Sequence, residues 1–382
     1  MGTGHNERLQ SLRGIAALCV LGGHSALIAA TPGAIRTQQI FQPNAAVILF
    51  YVLSGFVLAL SLERDSNLAR FVVRRLFRIM PVYWIGVFVS CASYLIASHD
   101  AIDGSTPWFN GTIVGGAGAV QWTNIWPNLI VWTTSMSGVL WSIQVELYTA
   151  PLIPLMLYVS ARIPLVIDIL IVIVLAAIML YLRPDPIVQT WPQLMFIPYL
   201  VCFYLGVMLP KLLALKQLRR LFQSGLLAVA ALVFSIYVYG HTWQFHIDFY
   251  GYLVVSVFIS GWLVAYAATS KPARSLLSLR PLVWLGDISY SFYAFGTPIM
   301  MAVALGVFLV LPVSWRTNDP GAAAIVWLTF AISLAVTLPL AALSYNLIER
   351  KINAFGHKLA CSIGPIAASP VIADGTKAPM VQ

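Results

Sequence analysis

The chain has 382 residues, of which 60% are hydrophobic and only 9% charged, whereas a soluble domain carries roughly 25% charged residues. That balance excludes a soluble globular protein and places the chain in lipid. The net charge of +9 invites a nucleic-acid partner, but the basic residues lie between apolar runs as membrane topology requires, so no nucleic-acid binding is expected.

Runs of about 20 mainly apolar residues, each able to cross a hydrocarbon core of about 30 Å, recur along the whole length. In chain order they fall near 12–30, 44–62, 79–98, 138–158, 164–182, 194–213, 224–240, 249–268, 281–310 and 322–348. The expected fold is therefore an all-α polytopic membrane protein of about ten transmembrane helices. The first run begins about ten residues in, has Arg13 at its mouth and lacks a small-residue cleavage site before a soluble domain. It is expected to be the first membrane helix rather than a signal peptide. Between the third and fourth runs, residues 99–137 hold no Lys or Arg but carry Trp108, Trp122, Trp126 and Trp132. This segment is expected outside, as an interfacial or re-entrant cap. The alternative, a weakly apolar extra helix, would invert everything downstream. Residues 1–358 form one membrane domain, and residues 359–382, rich in Ala, Ser, Pro and Gly, read as a flexible cytoplasmic tail. Cys19, Cys91, Cys202 and Cys361 lie far apart, with neither a disulfide framework nor a zinc-type spacing, so no metal site is expected.

With the N-terminus inside, 19 of the 22 basic residues fall on cytoplasmic segments, leaving Arg36, Arg183 and Arg316 outside. An even number of crossings then returns the C-terminus to the cytoplasm. Membrane lipids, through their anionic headgroups, are the default partner of these basic segments.

Ionisable groups inside a membrane helix cost about 2.5–3.5 kcal/mol each on insertion scales, so each suggests a function. Arg13 and His24 are eleven residues apart, about three helical turns, and share one helix face about 16 Å apart along the axis. Glu146, near the middle of the fourth run, is expected at the depth of His24. A carboxylate level with a histidine in lipid suits an acid/base pair; a structural polar bridge between helices is the plain alternative. On the stretch Arg70–Arg78, Arg75 and Arg78 share a face and suit a bidentate phosphate clamp. Arg70 and Arg74 read as positive-inside anchors. The face joining Arg13 to His24 carries the small residues Ala16, Ala17 and Val20, which serve either close helix packing or a groove for a thin ligand.

Five segments in order resemble the membrane-bound acyltransferase 3 family. They are Leu12-Arg13-Gly14-Ile15-Ala16-Ala17-Leu18 with His24, Phe50-Tyr51-Val52-Leu53-Ser54-Gly55-Phe56, and Arg75-Leu76-Phe77-Arg78-Ile79-Met80-Pro81-Val82-Tyr83-Trp84. Leu140-Trp141-Ser142-Ile143-Gln144-Val145-Glu146 and Gly286-Asp287-Ile288-Ser289-Tyr290-Ser291-Phe292-Tyr293 complete the set. The resemblance departs at Gly296, where family members often carry a second histidine. It implies a bacterial inner-membrane O-acyltransferase that takes an acyl group, chiefly acetyl, from acyl-CoA as donor substrate, with no permanently bound cofactor. The acceptor would be a carbohydrate hydroxyl of a surface glycan such as an exopolysaccharide or O-antigen, with glycan-assembly proteins as further partners. His24 and Glu146 would be catalytic, His24 as general base or acyl-carrying nucleophile, and Arg13, Arg75 and Arg78 would hold the donor's phosphates. The rival class is a transporter or flippase of lipid-linked sugars, although no internal repeat is visible. The charge asymmetry predicts that a reporter fused after residue 78 is cytoplasmic and one fused after residue 120 is external. Both reporters on one side would contradict the topology.

Overall fold

The computed structural model describes residues 3–29, 31–96, 101–182, 192–241 and 248–364. It is 85% helical, with no strand among the described residues. Helix α1 (Thr3–Ala26) leads into the short α2 (Pro32–Phe41), α3 (Pro43–Arg64) and α4 (Leu68–Leu95). Two short helices follow, α5 (Pro107–Ala117) and α6 (Trp122–Leu129). They are too short to cross a bilayer, in keeping with the expected cap. Helices α7 (Trp141–Thr149) and α8 (Ile153–Arg162) are joined by a tight turn at Ala150–Leu152. Pro151 and Pro154 lie there and remove two amide donors.

Helix α9 (Leu165–Leu182) precedes α10 (Leu200–Ala214), which bends by 114° into α11 (Lys216–Phe222). Helices α12 (Gly225–Gly240), α13 (Phe249–Thr269) and α14 (Lys271–Leu277) come next. The run expected at 281–310 is two helices, α15 (Arg280–Asp287) and α16 (Ser289–Val310). After the short α17 (Val313–Thr317), α18 (Asp319–Ser344) passes through a π-helical turn, Tyr345–Glu349, into α19 (Arg350–Ser362). The first part of the expected tail is thus helical, while residues 365–382 and Arg183 lie outside the described residues.

Each of the ten apolar runs falls on a helix, but among the described residues seven helical segments are long and apolar enough to cross a membrane unaided, or eight with the bent α10–α11 pair. Helix α12 is apolar but has only 16 residues. Helix α1 is not one of the seven, because Gln10, Arg13 and His24 lower its hydropathy. It tolerates them by being wrapped in protein: α2, α3, α15, α16 and α18 pack around it, and Leu9, Leu12, Ala16, Ala17, Val20 and Leu21 are buried. The outer helices α9 and α12 instead expose Ile169, Ile173, Leu226 and Val233, as lipid-facing helices do.

Hydrogen bonds tie the two ends of the bundle separately. At the basic end, Ser11 Oγ donates to Leu277 O (2.6 Å) and Arg70 Nη2 donates to Ile363 O (2.9 Å). At the other end, Gly33 N donates to Asp319 Oδ1 (2.9 Å) and Arg316 Nη1 to Asp103 O (3.3 Å). Within the bundle, buried Asp168 accepts from Tyr204 (2.7 Å) and from Lys211, which also donates to Ser160 O and Ile163 O. This knot joins α8, α9 and α10 with every partner satisfied.

Two glycine contacts set the central packing. A methyl group at Gly55 would run into the carbonyl oxygen of Phe203, and one at Gly206 into that of Val52, so α3 and α10 touch backbone to backbone. Gly14 and Gly286 bring α1 against the end of α15 in the same way. Because Gly55 follows Ser54 directly, the α10 contact also fixes the face that α3 offers to α4 and α7. Gly55→Val is therefore expected to remove most of the folded protein from detergent extracts. Size-exclusion chromatography of a fluorescent fusion checks this, and a normal monodisperse peak would contradict the packing argument.

Candidate active site

Helix α4 begins eleven residues before its apolar run, with Asn67 Oδ1 accepting from the Arg70 N–H (3.0 Å) as its cap. The four arginines Arg70, Arg74, Arg75 and Arg78 therefore ride on one continuous helix. Arg75 turns inward, 8% exposed, and its Nη2 lies 3.0 Å from Glu146 Oε1 and 3.3 Å from the Glu146 carbonyl oxygen. Ser54 Oγ donates a short hydrogen bond to the same Oε1. These contacts join α3, α4 and α7 at one point. Arg70 donates through both Nε and Nη2 to Ile363 O at the end of α19. Arg74 pairs with Asp65 (2.8 Å) and lines the central cavity. Burial pushes the Asp65 carboxyl up, but the Asn67 N–H, Arg74 and Arg70 outweigh it and hold that carboxyl below the usual range.

The cavity encloses about 240 Å³. It follows one face of α3 through Ser61, Leu58, Ser54 and Phe50, and eleven residues of helix span about 16 Å. Its middle is charged: Arg13, Arg75 and Arg78 surround Glu146 and Tyr290, whose hydroxyl donates to Ile79 O (2.9 Å). At one end stand Tyr51, Ser142 and Tyr293, the last two sharing a 2.6 Å hydrogen bond. The Phe50 and Tyr293 rings meet edge to face there at 5.4 Å. At the basic end the lining is Ser61, Phe71 and Arg74 with Asn353 and His357 of α19. Four buried polar atoms on this lining have no partner: Tyr51 Oη, Arg74 Nη2, Arg75 Nε and Asn353 Oδ1. Buried polar atoms are nearly always paired, and on the lining Arg13, Arg74, Arg75 and Arg78 outnumber the one carboxylate, Glu146, although buried Glu349 lies within electrostatic reach of Arg78. The donors Arg74 Nη2, Arg75 Nε and Tyr51 Oη suit an anion that accepts hydrogen bonds, whereas Asn353 Oδ1, an acceptor, calls for a donor.

His24 is not part of that cavity lining, and here the structure corrects the expected pairing. Helix α1 ends at Ala26, so His24 sits in its last turn, not past its middle. Gly23 abuts Pro43, which puts His24 level with the start of α3, eleven residues and about 16 Å from Ser54 and its partner Glu146. Glu146 does not orient His24. The imidazole is held instead by its own helix, Nδ1 lying 2.8 Å from Val20 O. A carbonyl only accepts, so Nδ1 carries the proton and Nε2 of the neutral ring is left with a free lone pair. The Trp108 ring stands 5.8 Å away. It is fixed there because Thr106, which caps α5, donates through N and Oγ1 to Ile28 O and Leu27 O just past α1.

The groove expected along α1 is closed, with Ala16, Ala17 and Val20 at most 2% exposed. The open face belongs to α3. Gly296 lies against Leu21, three residues before His24 on α1, and Thr337. Thr329, Ser333 and Thr337 form one face of α18, fully buried with hydroxyl groups that have no partner. Sequence reasoning missed Tyr51, Ser54, Ser142, Tyr290 and Tyr293 as lining residues, although all five lie inside the quoted segments. Asn353 and His357 carry no sequence signal beyond their spacing of four.

A family model described as an acyltransferase domain matches residues 6–346. The chain belongs to the acyltransferase 3 family. No curated protein and no solved structure matches it. Membership in this family gives the chain a membrane acyltransferase activity, and the family's five segments all reach the cavity or α1. The charge arrangement yields a prediction. Glu146→Gln leaves Arg75 and Arg13 without their counter-charge, so the variant should melt lower than wild type and regain more stability on adding millimolar pyrophosphate. Thermal melts with and without the anion check this, and equal shifts in both proteins would contradict it.

Proposed function

We propose that this protein is a bacterial inner-membrane O-acyltransferase, moving an acyl group, acetyl foremost, from acyl-CoA on the cytoplasmic side to a hydroxyl of a surface glycan. The observation that supports this reading best is the arginine-rich cavity with its unpartnered polar atoms, placed one pantetheine length from a histidine with a free Nε2. Arg13, Arg75 and Arg78 would take the donor's diphosphate. The pantetheine arm would then extend past Tyr51 and Tyr293 toward His24, over about 16 Å. Its two amides need partners at that depth, and the free hydroxyl groups of Thr337, Ser333 and Thr329 are of the right kind. Since that stretch is closed, the Phe50–Tyr293 contact must open for the arm to pass.

At His24 the acceptor hydroxyl loses its proton to Nε2 as its oxygen attacks the thioester carbonyl carbon. The carbon–sulfur bond breaks, and the leaving thiolate takes that proton from the imidazolium. Val20 O keeps Nδ1 protonated throughout and so fixes the tautomer. In a two-step route the same Nε2 lone pair would carry the acyl group.

Two substitutions test the division of labour. His24→Ala should insert at normal abundance and lose acyl transfer by about 10²–10⁴-fold. Arg78→Ala should raise the donor KM by roughly tenfold or more with kcat little changed, since a ground-state phosphate contact acts mainly on binding. Steady-state kinetics of both purified variants with acetyl-CoA is the measurement. A His24→Ala enzyme with near-normal kcat would remove His24 from the chemistry.

A further inference from the structure

Helix α19 lies beyond the residues that the family match covers, yet it closes one end of the cavity. Its Asn353 and His357 are four residues apart and so share a face. Asn353 Oδ1 is buried without a partner, and so is Nη2 of the neighbouring Arg74. Phe71, 4% exposed, and Leu58 supply apolar walls at the same end. Gly356 packs on Phe77, and Phe355 meets the Phe77 ring at 5.6 Å, so α19 is seated firmly on α4.

We infer that Asn353 and His357 form the nucleoside end of the donor site and read the purine of the acyl-CoA. This rests on the acyl-CoA reading above. With the diphosphate at Arg13, Arg75 and Arg78 and the pantetheine arm directed toward His24, the nucleoside is left with the opposite end of the cavity, which α19 closes. A carboxamide offers a donor and an acceptor side by side and matches the adenine edge, where an amino group and a ring nitrogen are adjacent. The imidazole of His357, at the open mouth, presents a flat ring on which a base can stack. Arg74 Nη2 stands free beside them for the phosphate on the ribose. A site that merely held phosphate would leave the carboxamide without a purpose, because its buried Oδ1 repels an anion.

Ligand fragments separate this reading from a structural role. Titration calorimetry on the purified full-length protein uses CoA, adenosine 3′,5′-bisphosphate and 4′-phosphopantetheine. Asn353→Ala should weaken CoA and the bisphosphate by about tenfold, the equivalent of one lost hydrogen bond of about 1.4 kcal/mol, and leave phosphopantetheine unchanged. His357→Ala, at an exposed position that does not threaten folding, should show the same selectivity. Unchanged CoA affinity in both variants, or equal weakening of all three ligands, would overturn the inference while leaving acyl-CoA as the donor. A wild-type protein that binds none of the three would overturn the donor assignment itself, and this inference with it.

Discussion

The arrangement depends on one buried ion pair, Arg75 with Glu146, tethered to α3 by the Ser54 hydroxyl. Inside a bilayer a guanidinium without a counterion is costly, and Arg13, Arg75 and Arg78 meet within one cavity. Glu146 makes their assembly tolerable without neutralising it. On the proposed reading, the donor's phosphates would complete this surplus of positive charge. The same pair draws α3, α4 and α7 to one point and thereby sets the shape of the cavity along α3.

Helix α1 is the second consequence of placing charge inside the bundle. Its polar residues disqualify it as an independent membrane span, and the fold answers by enclosing it among α2, α3, α15, α16 and α18. The close contact of Gly14 with Gly286 helps that enclosure, since the backbones of α1 and α15 touch and leave no room for lipid. One helix thus carries Arg13 into the charged cavity and His24 to the far end, under the cap formed by α5. On the proposed reading, donor binding and chemistry would be divided along the length of this buried helix, about 16 Å apart.

Much of this was legible in the sequence. Apolar runs located every long helix, and Arg13, Arg75 and Arg78, singled out from their spacing, all line one cavity. Depth was read less well, because it was counted from the centres of apolar runs. Helix α1 starts at Thr3 and α4 at Leu68, well inside polar sequence, and this shifts His24 to a helix end and away from Glu146. The partner of Glu146 was therefore missed in favour of a histidine that its own Val20 carbonyl already holds. Ala16, Ala17 and Val20 are small for packing, and the open face lies on α3, where Ser54 and Ser61 in an apolar helix were the available signal. The place of Asn353 on the cavity lining needed the tertiary structure, since nothing local distinguishes it from a surface asparagine on an amphipathic helix.

The central claim is that one extended donor site joins the arginine cavity to His24. The most direct measurement is an electron cryo-microscopy structure of the protein bound to a non-hydrolysable acyl-CoA analogue. The account predicts the diphosphate among Arg13, Arg75 and Arg78, the Phe50–Tyr293 contact opened, and the acyl carbonyl beside Nε2 of His24. An analogue bound with its acyl end at α19, or wholly outside the cavity along α3, would contradict it.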